Sequence, residues 1–383
     1  MAYKPKTYLT SSVFSVENIG SNEKVSKKVR DSIASLWQRL NEISDVKVFD
    51  GRFPTKEQIL ENIITFKPNI VGCHLSHKIT TEMLNEPEIF AIATSTAGYN
   101  HIERTEKDDI MITHTPGVLQ ETVADYTIAL IMANLRDLID LHQYVWNGEW
   151  TVKSIWDLDQ ALSSVITNKV LGIVGLGEIG KEMVRKLYPW GVKIIYFDIM
   201  QMKEFEKEFP LLEYKANIED IFKEADIISL HIPLNKDTEK IIDKQLLKLM
   251  KKNALLVNTA RGSVIDFNAL LDLLEKKEIH INLAFDVFPI EPLDAKTLKR
   301  LKAIKKSQPE MRMILLPHNA SADADTRGKM VQLFLEDIIK IVESSNFKDL
   351  KNLNLIPEHR NQLLEKEWRI LNYWKKKRED NYD

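Results

Sequence analysis

The sequence predicts an α/β protein of two doubly wound parallel-sheet domains, and three observations carry that reading. At 383 residues the chain has room for two domains, each with its own core. In its N-terminal part, short apolar runs alternate with segments of helical periodicity, the pattern of a parallel sheet wrapped by helices. A second alternation opens at Val170, with an apolar run, a glycine-rich turn and a helical pattern in immediate succession.

In the N-terminal part, residues 46–49, 69–73, 90–94 and 111–113 read as strands, and 25–40, 56–64 and 80–84 as the helices between them. This region has no glycine-rich phosphate turn. It does contain Ser95-Thr96-Ala97-Gly98-Tyr99-Asn100, a loop of small residues just past a strand's carboxyl end, where open α/β sheets place ligands. Cys73 is the only cysteine and sits in an apolar run, so it reads as a buried core residue rather than a nucleophile. A single cysteine also excludes an intrachain disulfide and a cysteine-based metal site.

Past Thr115-Pro116-Gly117, one long helix is expected over 120–143, with Val123, Tyr126, Thr127, Leu130, Ile131, Leu135 and Leu138 on one wide apolar stripe. Glu121 and Asp125 in its first turns suit the helix dipole. Its length fits a bridge between domains, and its stripe fits a dimer interface. Trp146, Trp150 and Trp156 follow closely, a grouping that points to packing or an interface rather than a cofactor box.

The second alternation is organised around residues 170–198. Val170-Leu171-Gly172-Ile173-Val174 reads as a buried parallel strand, followed by Gly175-Leu176-Gly177-Glu178-Ile179-Gly180, a G-x-G-x-x-G that opens a helix. Gly175 would make the tight turn, Gly177 would let the backbone approach a pyrophosphate, and Gly180 would let helix pack on strand. The anion would rest on free N–H groups at the positive end of the helix dipole. Asp198 ends the next apolar run eighteen residues past Gly180, where it would meet a ribose 2′-hydroxyl and repel a 2′-phosphate. Ile199, Met200 and Gln201 offer no cation beside it, so the motif favours NAD over NADP.

Residues 226–231, 254–258, 283–287 and 314–317 read as further strands, separated by helical patterns at 218–222, 244–250 and 269–275. The lysine-rich stretch 296–306 reads as a solvated helix or loop. An amphipathic helix over 326–342 could return the chain to the first domain. In the last segment, 357–383, Leu364, Trp368, Leu371 and Trp374 fall at helical spacing, as expected of a terminal helix docked on its own domain or a neighbouring subunit.

The net charge of −3 gives no reason to expect nucleic acid or an anionic membrane as a partner. The N-terminus lacks a basic segment followed by an apolar core, and no apolar run approaches the ~20 residues of a membrane span. A cytoplasmic setting is expected.

Three polar residues stand at the ends of apolar runs in the second half. Arg261 follows Val257-Asn258-Thr259-Ala260, Glu291 lies in Asp286-Val287-Phe288-Pro289-Ile290-Glu291-Pro292, and His318 in Pro317-His318-Asn319-Ala320. Hydride transfer to or from the second carbon of a 2-hydroxy acid needs a group that gives or takes a proton at that carbon's oxygen, which histidine does near neutral pH. A planar arginine supplies a bidentate grip on the substrate's carboxylate and carbonyl. A carboxylate beside the imidazole orients it and favours its protonated form.

With these motifs in order, the chain resembles the NAD-dependent D-isomer-specific 2-hydroxy acid dehydrogenases over roughly residues 45–345. The resemblance is carried by 171–180, His231-Ile232-Pro233-Leu234, Val257-Asn258-Thr259-Ala260-Arg261-Gly262, 286–292 and Pro317-His318. It implies a Rossmann NAD-binding domain over 118–318 and a flavodoxin-like substrate domain over 1–117. Residues 319–383 would complete the substrate domain and add a C-terminal helix, with a cleft between the domains and a homodimer formed through the dinucleotide domains. It implies Arg261, Glu291 and His318 as the catalytic set. The cofactor residues implied are Gly175, Gly177, Glu178, Ile179, Gly180, Asp198, His231, Pro233, Thr259, Ala260 and Asp286, the last at the nicotinamide amide. Ala97, Gly98 and Ser76 would join Arg261 at the substrate, with no metal. Leu75-Ser76 and Gly148-Glu149-Trp150 look closest to glyoxylate and hydroxypyruvate reductases. Formate and phosphite dehydrogenases are disfavoured by Glu291 and Ala97. NAD-sensing corepressors built on this fold keep the same three residues, but the 357–383 segment does not resemble their disordered tails. Asn319-Ala320 where Ile-Gly is usual, Asn168 for a glycine, and the long 291–318 segment depart from the family pattern.

Overall fold

The computed structural model describes residues 4–155 and 157–379. Two compact units emerge, one of residues 1–119 with 322–383 and one of residues 120–321.

The first unit holds a five-stranded, all-parallel sheet of β1 (Lys6–Leu9), β2 (Asp45–Val48), β3 (Ile70–Cys73), β4 (Ala91–Thr94) and β5 (Met111–Thr113), in the order β2-β1-β3-β4-β5. Every residue of β3, β4 and β5 is buried, as strands covered by helices on both faces must be. Strand β1 lies outside the strands read from the pattern, because Lys6-Thr7-Tyr8-Leu9 is too short and too mixed to stand out. Helices Lys27–Ile43 and Ala324–Glu343 pack together on one face, burying Val29, Ile33, Phe334 and Ile338. In place of the one helix expected over 357–383, the described residues form two, Pro357–Asn361 and Ile370–Glu379. The second helix docks on its own unit through Tyr373 and Trp374, and Trp368 just before it is buried as well, while Leu364 is left exposed. Leu371 packs partly buried against the same core, so of the four stripe residues only Leu364 departs from it. Between the two helices, residues 362–369 are non-helical and carry Leu364 away from the core.

The second unit holds a seven-stranded parallel sheet of β6 (Val170–Val174), β7 (Lys193–Phe197), β8 (Glu213–Tyr214), β9 (Ile227–Leu230), β10 (Leu255–Asn258), β11 (Asn282–Phe285) and β12 (Met313–Leu315), in the order β12-β11-β10-β9-β6-β7-β8. The order reverses at β6, flanked by β7 and β9, which is the switch point where such sheets bind ligands. The helix expected over 120–143 breaks in two, Gln120–Leu135 and Leu138–Trp146. Asp137 takes a left-handed conformation (φ 54°), and Arg312 Nη1 donates to the Asn134 and Leu135 carbonyls that a continuing helix would use. Trp146 and Trp150 are exposed, and Trp156 lies outside the described residues. The lysine-rich stretch is a regular helix, Ala295–Ser307, anchored by buried Leu301 and Ile304. Asp243, Asp266 and Asp294 cap helices in this unit and Asp323 caps one in the first; each accepts from an amide three residues on, a contact that stabilises a helix by about 1 kcal/mol. No helix among the described residues is long and apolar enough to cross a membrane.

Candidate active site

Six neighbouring strands of the seven-stranded sheet carry the residues singled out in the sequence just past their carboxyl ends. In sheet order these are His318 after β12, Asp286 and Glu291 after β11, and Thr259, Ala260 and Arg261 after β10. His231 and Pro233 follow β9, the glycine turn follows β6, and Asp198 follows β7. Parallel alignment brings residues scattered over more than a hundred positions to one edge.

The glycine turn fits a dinucleotide. Gly175 has φ +96°, and a Cβ there would meet the His231 carbonyl at 2.9 Å. A Cβ on Gly180 would overlap the Gly175 carbonyl oxygen, so helix Glu178–Leu187 needs glycine to lie this close to β6. At Gly177 a Cβ would meet nothing within 4 Å, leaving open space over the turn. No side chain caps this helix, so its first amides are left for an anion, flanked by exposed Glu178 and half-buried Ile179. Asp198 Oδ2 accepts from the Leu176 amide at 2.7 Å, which ties the acid to the turn. Ile199 and Met200 beside it are exposed and apolar.

His318 Nδ1 and Glu291 Oε2 lie 2.7 Å apart, while Glu291 Oε1 accepts from the Phe288 amide at 2.9 Å. Burial raises the Glu291 carboxyl, but His318, the Phe288 amide and Arg261 outweigh it, and the net shift is downward: the group is a carboxylate. His318 itself stands at φ 53°, a left-handed conformation unusual for a side-chain-bearing residue. Asp286 explains how it is held there. The Asp286 carbonyl accepts from His318 N, and its two carboxylate oxygens accept from the Asn319 and Ala320 amides, all at 2.8 Å. Tyr126 adds its hydroxyl at 3.4 Å. Expected at the nicotinamide amide, Asp286 is wholly buried and its observed partners belong to the His318 turn.

Arg261 is held from its backbone. The buried Asn258 accepts from the Ala260 amide at 3.0 Å and donates to the Arg261 carbonyl at 2.9 Å. Arg261 Nη1 donates to the Ala260 carbonyl at 2.7 Å, whereas its buried Nε has no hydrogen-bond partner. A buried guanidinium N–H without a partner is costly, and an anionic ligand would satisfy it. Burial lowers the Arg261 pKa and Glu291 opposes this. Any Cβ on Gly262 would overlap the Phe288 backbone, so glycine is what lets the Arg261 loop and the Glu291 loop touch. Thr259 Oγ1 pairs with Thr127 Oγ1 at 2.9 Å. His231 Nε2 pairs with Ser229 Oγ at 2.8 Å, its Nδ1 has no hydrogen-bond partner, and burial pulls the imidazole down to about 4. The sequence offers Asn258 only as part of a motif, and Tyr126 and Thr127 only as part of an apolar stripe, without the hydrogen bonds they make here. An asparagine ending an otherwise apolar strand was the available signal for the first.

Ser76, Ala97 and Gly98 belong to the first unit, past the carboxyl ends of β3 and β4. The exposed Ser76 donates its amide to His74 Nδ1 at 3.3 Å, and the Ala97 carbonyl accepts from His114 Nδ1 at 2.8 Å. Cys73 is fully buried, with its thiol pushed up to about 12 by burial, and is not a nucleophile. Among the described residues no cluster of side chains could hold a metal ion.

Such a sheet, with a hydrogen-bonded histidine–glutamate pair and an unsatisfied arginine beside a dinucleotide turn, has the parts that a dehydrogenase needs. Residues 128–320 match the NAD binding domain of the D-isomer specific 2-hydroxyacid dehydrogenases. A glyoxylate reductase of Thermofilum pendens is 33% identical over 79% of this chain and 87% of its own length. One of Thermococcus litoralis is 35% identical over 80% and 90%. In fold, the chain is similar to the crystal structure of a glyoxylate reductase from Paecilomyes thermophila (TM-score 0.73, 24% identity, 93% of this chain and 99% of that one). The chain belongs to the D-isomer specific 2-hydroxyacid dehydrogenase family. It is an NAD-dependent oxidoreductase that transfers a hydride between the cofactor and a small D-2-hydroxy acid or 2-oxo acid.

Proposed function

We propose that this enzyme reduces glyoxylate, hydroxypyruvate or a similarly small 2-oxo acid with NADH, as a cytoplasmic homodimer. The observation that carries the catalytic assignment is the 2.7 Å His318–Glu291 pair, formed between the loops after β12 and β11, with Arg261 following the next strand, β10. When bound, NADH supplies the hydride for the substrate's second carbon. His318 gives a proton to the oxygen on that carbon, and Glu291 holds the imidazole in the orientation that makes this possible. Arg261 uses its free Nε–H and its charge to bind the oxo acid and draw electron density from the carbonyl. Ala97 and Gly98 bind the carboxylate through backbone amides, with Ser76 alongside.

Residues 120–321 would form the NAD-binding domain, with Gly175, Gly177 and Gly180 at the pyrophosphate and Asp198 at the ribose. Residues 1–119 and 322–383 would form the substrate domain. Glyoxylate reductases similar to this chain support the choice of substrate. Support for the dimer comes from one exposed apolar stretch, with Trp146 78%, Trp150 57%, Val152 87%, Leu158 80% and Leu162 70% exposed. The single, buried cysteine suits a reducing cytoplasm.

The test is NADH oxidation by the purified protein with glyoxylate, hydroxypyruvate, pyruvate and branched or aromatic 2-oxo acids, with NADPH in parallel. Turnover should be highest with the two smallest polar acids and should favour NADH. Preference for a branched or aromatic acid would overturn the substrate assignment, and equal use of NADPH would overturn the role of Asp198.

A further inference from the structure

The loop after β4 is tied down by its carbonyls. Thr96 O accepts from the Thr115 amide at 2.9 Å, Ala97 O from His114 Nδ1 at 2.8 Å, and Gly98 O from Thr96 Oγ1 at 2.6 Å. These peptide bonds are trans, and in a planar trans peptide the C=O of one residue and the N–H of the next point opposite ways. The N–H groups of Ala97, Gly98 and Tyr99 are therefore turned away from the three tethers. None of them donates to another described residue. Successive N–H groups presented together make a concavity for an anion. Its shape depends on what holds the carbonyls.

The middle tether comes from a side chain. Ala97 O can only accept, so His114 Nδ1 must carry the proton. Burial pulls this imidazole below its ordinary range, against a smaller upward effect of the Ala97 carbonyl, so at neutral pH the bond is one between neutral groups. His114 is itself fixed. Its amide donates to Asn354 O at 2.9 Å, and the Tyr99 ring meets it edge-on at 5.6 Å between centroids. The C-terminal segment reaches the same loop from further on. Glu358 accepts from the Tyr99 hydroxyl at 3.0 Å and from Arg104 at 3.1 Å. The next residue, His359, accepts from the Ile112 amide on β5 at 3.1 Å and pairs with Asp108 at 3.1 Å.

We propose that His114, backed by the Tyr99–Glu358 contact from the C-terminal segment, is a positioning residue that sets the geometry of the Ala97, Gly98 and Tyr99 amides and with it the affinity for the substrate carboxylate. This rests on the reading above that Ala97 and Gly98 bind that carboxylate. The C-terminal helices are then part of the substrate site's support as well as of the unit's core.

The test compares His114→Phe, which keeps a ring but loses the donor, with His114→Asn, whose side-chain amide can return an N–H near Nδ1, and with Tyr99→Phe. For each, KM for glyoxylate, kcat, the NADH dissociation constant and Tm are measured. His114→Phe should raise KM about five- to tenfold, the worth of one neutral hydrogen bond, with kcat and NADH binding within twofold of the parent. His114→Asn should recover most of that loss, and Tyr99→Phe should raise KM about two- to threefold. A purely structural role would instead lower Tm in all three without separating Phe from Asn at position 114, and an unchanged KM in His114→Phe would overturn the proposal. Ala97→Pro and Gly98→Pro, each deleting one amide, check the underlying reading. If both bind NADH normally and keep the parent KM, the carboxylate assignment fails. If they raise KM while His114→Phe does not, only the positioning role fails.

Discussion

On the reading proposed above, each parallel sheet presents its chemistry just past the carboxyl ends of its own strands, but with different material. In the seven-stranded sheet the groups are side chains: His318, Glu291 and Arg261, held by Asp286 and Asn258 through backbone bonds of 2.8–3.0 Å. In the five-stranded sheet they are backbone amides, aimed by tethered carbonyls at Thr96, Ala97 and Gly98. A side-chain site is lost with one residue. A backbone site survives substitutions at its own positions that keep the N–H, so short of proline it fails through residues that hold it, some of them far away in sequence, as Glu358 is from Tyr99.

That contrast can be broken by mutation. Arg261→Ala should lower kcat/KM by about 10²–10⁴-fold, and Arg261→Lys should recover only part of it, because a point charge does not reproduce the planar fork. Equal activity in Arg261→Lys and the parent would reduce Arg261 to a source of charge. On the five-stranded side the large effects should be on stability. Trp374→Ala empties a buried site and strips Ser344 Oγ of its indole partner, which should cost about 3–5 kcal/mol in denaturant unfolding, while Leu364→Ala should stay within about 0.5 kcal/mol. Similar losses for the two would mean that the C-terminal helices are not docked as described.

A smaller effect concerns pH, and both edges contribute to it. Burial, with His77 adding to it, pulls His74 down to about 3, and burial pulls His231 down to about 4, both from an ordinary 6.5. Below pH 6.5 the unfolded chain therefore binds protons that the folded one refuses, so stability rises with pH there and is lost as pH falls from about 6.5 toward 4. Tm measured between pH 8 and pH 5 should be flat and then decline, with a shallower decline in His74→Asn. A Tm that rises on acidification would contradict the burial of these imidazoles as neutral groups.

Much of this was legible in the sequence because side chains announce themselves. The glycine spacing after Val174, the acid at Asp198, and Arg261, Glu291 and His318 at the ends of apolar runs could be picked out because parallel strands put their chemistry at those ends. What the residues could not show was support. The sequence points to Asp286 as a cofactor residue but gives no sign that its oxygens also hold the His318 turn. Asn258 and His114 act through backbone carbonyls and amides, which no spacing rule reads. The break at Asp137 escaped periodicity because the stripe continues to Leu138, and the arginine that ends the helix lies at position 312. Short, mixed strands such as β1 fall below any pattern.

The most direct test of the account is single-turnover NADH oxidation with glyoxylate by the parent enzyme and by His318→Ala, alongside NADH binding followed by fluorescence. If His318 is the proton donor, the variant should bind NADH with the parent's affinity and oxidise it about 10²–10⁴-fold more slowly. Turnover at the parent's rate would show that another group delivers the proton and that the His318–Glu291 pair is only a structural ion pair.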